Sequence, residues 1–274
     1  MKDFNNKVIL ITGAGSGIGR ETALQFSELG GKIAVVDVND QSASETVSMI
    51  ETKGGRAKAF HCDVASQDDI EQLADAVEDS LGPVDVLMNN AGIGAAGLLV
   101  DVKMDTWEKV MGVNVMGVIN GCHVFVPRMI ARGEGGHIIN TSSAAAFIAA
   151  KEMIAYATSK FAVFGFSESL RAQMAEHSIG VSTICPGLIN TAIVEHTLYE
   201  GEKLEAGAKE KAMALYERRN YPPSKVAKAI IKATKKNKAV VPVSPEAHVM
   251  YWFKRFLPAL VRKAAQGNNT FLTD

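Results

Sequence analysis

Short apolar runs alternate with longer amphipathic stretches along most of this chain. Lys7–Thr12 is β-branched and lacks polar alternation, the pattern of a strand buried on both faces. Lys32–Val36, Ala57–Cys62, Val84–Met88, the run through Ile138 and Ile139, Val181–Ile184 and Ala239–Val243 read as further strands. Helical patterns lie between them, from Gly19 to about Leu29, over Gln41–Lys53, Ser66–Leu81 and Met104–Arg132, from Tyr156 to about Glu176, and over Ser224–Lys235. Regular alternation without Gly/Ser linkers or internal repeats predicts an α/β fold. The expected architecture is a single Rossmann-type doubly wound parallel sheet of about seven strands flanked by helices, occupying residues 1–245.

Two stretches depart from that rhythm. Residues 188–223 carry no strand pattern and mix Ile189, Ile193, Val194, Leu198, Leu204, Met213, Leu215 and Tyr216 with many charges. An insertion of this length is expected to be a helical lid over a substrate. Residues 246–274 read as a C-terminal helical tail. Val249, Trp252, Phe253, Phe256, Leu257 and Leu260 recur there at helical spacing beside Lys254, Arg255, Arg262 and Lys263. Pro258 interrupts the pattern, which favours packing on the same domain or a partner subunit over an interfacial helix resting on lipid. A cover over an apolar substrate is the third reading.

Composition narrows the function classes. With 274 residues, 47% hydrophobic and 22% charged, the chain has the make-up of an ordinary globule with a sizeable core. A net charge of −1 offers no footprint for nucleic acid. Cys62, Cys122 and Cys185 are scattered and odd in number, which fits buried thiols in a reducing cytoplasm. The six histidines show no metal-ligand spacing, so no metal is expected. No run of about 18 uncharged apolar residues predicts a transmembrane span. The first strand follows the N-terminus closely, leaving no expected room for a signal peptide.

The polar motifs fall at predicted strand ends, where ligands of open α/β sheets collect. After the first strand comes Gly13-Ala14-Gly15-Ser16-Gly17-Ile18-Gly19 and then a helix. Glycines there let backbone approach a pyrophosphate, and the helix start supplies free N–H groups and partial positive charge. Asp37 ends the second strand at the position where a carboxylate binds ribose hydroxyls. No Lys or Arg follows closely to accept an extra phosphate, so NAD is expected over NADP. Asp40 is the expected cap of the following helix. Asp63, followed by Val64, either meets an adenine amino group or caps its own turn. Asn89-Asn90-Ala91-Gly92 closes the fourth strand, where buried asparagines need several partners and are expected to organise the sheet edge. Asn114 sits inside a helical pattern that it suits poorly, pointing to a kink or a polar role. Tyr156 and Lys160, spaced i,i+4, share a helix face, where an ammonium is expected to lower the phenol's pKa. Ser143 closes the fifth strand and could meet that phenol in space.

Together these motifs resemble the short-chain dehydrogenase/reductase family over roughly residues 5–245. Thr12-Gly13-(x3)-Gly17-x-Gly19 is similar to the family's cofactor loop, and Asn89-Asn90-Ala91-Gly92 to its NNAG strand end. Asn114, Ser143, Tyr156 and Lys160 match its catalytic tetrad. Pro186-Gly187-(x3)-Thr191, with Ile189 inside it, matches the segment that holds the nicotinamide carboxamide. The resemblance implies hydride transfer between NAD(H) and an alcohol or carbonyl, with Tyr156 as general acid/base, Ser143 on the reacting oxygen, Lys160 on the nicotinamide ribose and Asn114 holding a water. The implied cofactor contacts are Gly13, Ser16, Gly17, Ile18, Gly19, Asp37, Asp63, Val64, Asn90, Ala91, Gly92, Tyr156, Lys160, Pro186, Gly187, Ile189 and Thr191. It also implies a homodimer or homotetramer. The small apolar residues Ala144–Ile148 beside Ser143 predict a hydrophobic substrate: a steroid, a long-chain alcohol or aldehyde, or an acyl thioester. A non-catalytic dinucleotide sensor is the rival from another class, and the retained Tyr and Lys speak against it.

Overall fold

The computed structural model describes residues 1–148, 150–191, 193–201 and 207–265, so Leu204 of the expected lid and residues 266–274 of the tail lie outside the described residues. Strands β1 (Val8–Thr12), β2 (Lys32–Asp37), β3 (Arg56–His61), β4 (Val84–Asn89), β6 (Gly136–Thr141), β7 (Ile179–Cys185) and β9 (Val240–Pro242) form one seven-stranded sheet in the order β3-β2-β1-β4-β6-β7-β9. All its pairings are parallel. The order reverses beside β1, the switch point at which an open α/β sheet leaves a crevice.

Period-two alternation sends successive strand residues to opposite helical layers. Leu10, Ala34, Leu87, Ile138 and Val181 pack with α3 (Gln67–Leu81), α5 (Gly117–Arg132) and α6 (Ile154–Met174). Ile9, Ile11, Ile33, Val35, Met88 and Ile139 pack instead with α1 (Gly17–Glu28), α2 (Asp40–Thr52) and α8 (Pro223–Lys236). Both faces of the sheet are therefore covered, as the unbroken apolar runs require.

The structure corrects the sequence reading at three places. Asn39, not Asp40, caps α2: its side chain accepts from Ser42 N, while Asp40 is the first helical residue and pairs with His61. The Met104–Arg132 stretch is not a uniform α-helix. It runs as α4 (Met104–Met111), a π-helical turn over Gly112–Met116 and then α5, with Asn114 inside the π turn. That stretch is long and apolar enough to span a bilayer on length and composition, yet 56% of its apolar window is buried within the fold. The expected strandless lid contains β8 (Leu198–Tyr199), which pairs in parallel with β5 (Ala95–Ala96) and so ties the insertion to the loop after β4. It also holds helix α7 (Ala208–Arg219). The tail helix α9 (Pro245–Phe256) packs on its own domain, within the favoured reading: Ser244 caps it, and Ala247 is fully buried against Ala144, Phe147 and Cys185. Helix α10 (Pro258–Ala265) follows at Pro258.

Candidate active site

The glycine loop between β1 and α1 is held by its neighbours rather than by its own side chains. Gly13 takes φ +63° and Gly17 φ +52°, conformations that L side chains rarely adopt. A Cβ on Gly13 would also lie 2.9 Å from Ala91 Cα, and one on Gly19 would collide with the Gly13 carbonyl. Asn90 fixes the loop from β4, its Nδ2 donating to Thr12 O at 3.0 Å and Gly13 O at 3.3 Å. Asn89 crosses instead to Asn140 at 2.9 Å, and Asn140 reaches Ser167 of α6 at 3.0 Å. Both asparagines thus brace the carboxyl edge of the sheet.

Ser16 caps α1 in extended backbone geometry and makes no side-chain cap bond, so its hydroxyl and the first N–H groups of the helix face outward together. Asp37 Oδ2 accepts from Gly15 N at 2.8 Å, placing the carboxylate at the rim of the loop. Asp63 Oδ1 accepts from Ala65 N at 3.0 Å, so it does close its own turn. Val64 is buried beside it, its carbonyl held by Asn120 Nδ2. Thr191 returns from the insertion to within 3.2 Å of a Cβ built on Gly17. A concave, glycine-lined loop with unsatisfied donors, a carboxylate at one rim and a threonine at the other fits a dinucleotide.

Across the crevice, Gly92, Asn114 and Lys160 meet. A Cβ on Gly92 would stand 3.1 Å from Asn114 Oδ1 and 3.3 Å from Lys160 Nζ, so only glycine leaves both groups where they are. The Asn114 side chain is fully buried. Its Oδ1 accepts from Ile93 N at 2.8 Å, and its Nδ2 donates to Ile93 O and Ser159 Oγ, each at 3.0 Å. The amide therefore clips the loop after β4 to α6. Lys160 is 4% exposed and donates to Thr141 O at 3.1 Å. Burial depresses its ammonium to a pKa of about 8.

Tyr156 lies one helical turn before Lys160, whose Nζ sits 5.6 Å from the ring centroid. The expected lowering of the phenol does not occur in the protein alone. Burial raises the Tyr156 pKa, and the Ser143 hydroxyl that reaches the phenol offsets only part of the rise. The lysine is itself drawn toward the neutral form by burial and points past the ring to a carbonyl, which explains the difference. Ser143 also caps a short 3-10 turn, Ala144–Ala146, by accepting from Ala145 N at 3.1 Å. Pro186 O accepts from Ala144 N at 2.8 Å, so the Ser143 and Pro186-Gly187 loops are bonded to one another. Ile189 is buried in the core below them.

Two contributors escaped the sequence reading. Ser142 Oγ donates to the Lys160 carbonyl at 2.8 Å and fixes α6 against β6. Its place in the Thr-Ser-Ser cluster was the available signal. Glu246, assigned to the tail, accepts from Leu188 N at 3.1 Å and pairs with Arg219 Nη2 at 2.8 Å. It joins the segment after Gly187, helix α7 and helix α9, and no local pattern announces a contact across such a separation.

The chain matches the family model described as short chain dehydrogenase over residues 7–200. It is 41% identical over 270 residues to the Mycobacterium tuberculosis protein named "Probable oxidoreductase EphD", covering 96% of this chain but 45% of that protein. The chain thus spans about half the length of the first curated relatives it matches. Cyclohexanol dehydrogenase of Acinetobacter sp. is 34% identical over 192 residues, 70% of this chain and 76% of that protein. A short chain dehydrogenase/reductase from Burkholderia phymatum, solved in complex with NAD, superposes with a TM-score of 0.85 at 30% identity, covering 95% of this chain and 96% of the other. A nicotinamide dinucleotide cofactor is what this fold and its relatives imply. On the motif match and the near full-length superposition together, the chain belongs to the short-chain dehydrogenase/reductase family of oxidoreductases.

Proposed function

We propose that this protein is an NAD(H)-preferring oxidoreductase acting on a hydrophobic alcohol or carbonyl substrate, with Tyr156 as its proton donor and acceptor. The observation that carries the reading is the convergence of Tyr156, Ser143, Lys160 and Gly92 on one edge of the sheet, opposite the glycine loop. Bound nicotinamide would supply or accept the hydride. Gly13, Ser16, Gly17, Ile18 and Gly19 would hold the pyrophosphate, Asp37 the adenosine ribose, Asp63 and Val64 the adenine, and Asn90, Ala91, Gly92, Pro186, Gly187, Ile189 and Thr191 the nicotinamide half.

In reduction Tyr156 Oη gives its proton to the carbonyl oxygen; in oxidation it removes the alcohol proton. Burial moves the phenol's pKa further up, which favours the protonated form that serves reduction. Ser143 Oγ hydrogen-bonds the reacting oxygen and holds it against the phenol. Lys160 binds the nicotinamide ribose and brings a positive charge beside the phenol, and Asn114 ties Ser159, next to Lys160, to the Ile93 loop. Residues 188–223 act as the lid, tied down by β8 and by Glu246. The small apolar residues Ala144 and Ala146 and the buried Phe147 beside Ser143 support an apolar substrate.

The test is dinucleotide-linked turnover across a panel of hydrophobic alcohols and carbonyls. Tyr156→Phe should lower kcat by about a hundredfold or more with cofactor affinity little changed, since it removes the acid/base group alone. Equal turnover in wild type and variant would overturn the assignment.

A further inference from the structure

Helix α9 has two apolar faces, and among the described residues the fold covers one. Ala247, Met250 and Tyr251 pack inward on the cluster of Ala144, Phe147 and Cys185. The outward face carries Val249, Trp252, Phe253 and Phe256, with Trp252 51% and Phe256 66% exposed. Leu257 and Leu260 extend the surface into α10 and are 44% and 55% exposed. The Trp252 and Phe256 rings stack at 5.4 Å with planes 10° apart, and Tyr251 and Phe147 continue the aromatic row into the core. The patch is therefore rigidly mounted. Isolated exposed apolar side chains need no explanation, but a contiguous group on one helix face marks an interaction site.

Charge says what the site takes. From Ala247 to Lys263 the chain contains no Asp or Glu, while Lys254, Arg255, Arg262 and Lys263 are all exposed. Lys254 reaches sideways over the Phe161 ring of α6 at 5.6 Å, leaving the apolar crest clear. We propose that α9 and α10 form a docking surface for an anionic lipid bilayer, with the apolar crest entering the headgroup boundary and Arg255, Arg262 and Lys263 meeting lipid phosphates. The surface stands on the loop that follows Ser143, so docking places the mouth of the proposed active site next to lipid. This consequence rests on the proposed function; the docking itself does not.

Sedimentation of the full chain with phosphatidylcholine vesicles, with and without phosphatidylglycerol, tests the proposal without any turnover. Binding should require the anionic lipid and should move Trp252 emission to shorter wavelength. Replacing Arg255 and Arg262 by Ser should lower vesicle partition by roughly tenfold or more, at about 1 kcal/mol for each basic residue near the surface. Phe253→Ser with Phe256→Ser should abolish it while the far-ultraviolet circular dichroism is retained, since both side chains are exposed. No binding to anionic vesicles would overturn the proposal. So would a concentration-dependent dimer that the two Phe→Ser changes disperse, because the face would then belong to a second copy.

Discussion

Lys160 is a side chain whose burial acts against stability. It is buried, it donates to the Thr141 carbonyl, and burial lowers its pKa from 10.5 to about 8. Between pH 8 and 10.5 the unfolded chain holds this proton and the folded chain does not, so the Lys160 contribution to stability rises with pH across that window. Below pH 8 the fold bears the full cost of an interred ammonium. Lys160→Met should therefore stabilise the cofactor-free protein at pH 7 by on the order of 2 kcal/mol, with the gain fading as pH rises from 8 toward 10.5, while dinucleotide-linked turnover falls steeply. Urea unfolding of both proteins across that range, beside activity at pH 7, reads both effects. A variant less stable than wild type at pH 7 would mean that the lysine supports the fold rather than the chemistry.

At the scale of elements, legibility followed physical range. Strands buried on both faces announce themselves as unbroken apolar runs, and the structure places each expected strand within two residues at either end. Asn114 was legible as a misfit, because asparagine inside an apolar helix needs either a break or partners; the π turn and the Ile93 clip supply both. The two-residue strands β5 and β8 were not legible, since Ala95–Ala96 and Leu198–Tyr199 are too short to show a period. Nor was Glu246, whose partners Leu188 and Arg219 lie far along the chain. Although burial pushes its carboxyl up, hydrogen bonds from Arg219 and its helix N-terminus hold it below the usual glutamate range. Glu246→Ala should release the segment after Gly187, cost about 1–3 kcal/mol in stability and raise the KM for the dinucleotide several-fold. Glu246→Gln retains an acceptor for Leu188 N and should recover most of that KM but less of the stability. Thermal melts and cofactor titrations on the two variants separate the roles; identical behaviour would assign everything to the Arg219 pair.

At the scale of the molecule, the proposed site draws on eight separated segments because every strand of the main sheet runs in the same direction and the order reverses beside β1. That convergence makes the cofactor a ligand of the whole fold, so its binding reads out globally even when no substrate is known. A ligand at a hundred times its Kd stabilises by about 2.7 kcal/mol, which for a chain of this size is a melting shift of roughly 5–10 °C. NAD should produce a shift of that order, and NADP at the same concentration a much smaller one. The reason is local: Asp37 Oδ2 stands at the rim of the glycine loop, bonded to Gly15 N, and would face the 2′-phosphate with no cation set against it in the run Val38-Asn39-Asp40. Asp37→Ala should narrow the difference between the two cofactors by lowering the NAD shift and raising the NADP shift. If NADP already stabilises the wild type as much as NAD does, the carboxylate does not select the cofactor. Arg20, held by Glu45 at 3.0 Å on the neighbouring helix, then becomes the side chain to examine for a phosphate contact.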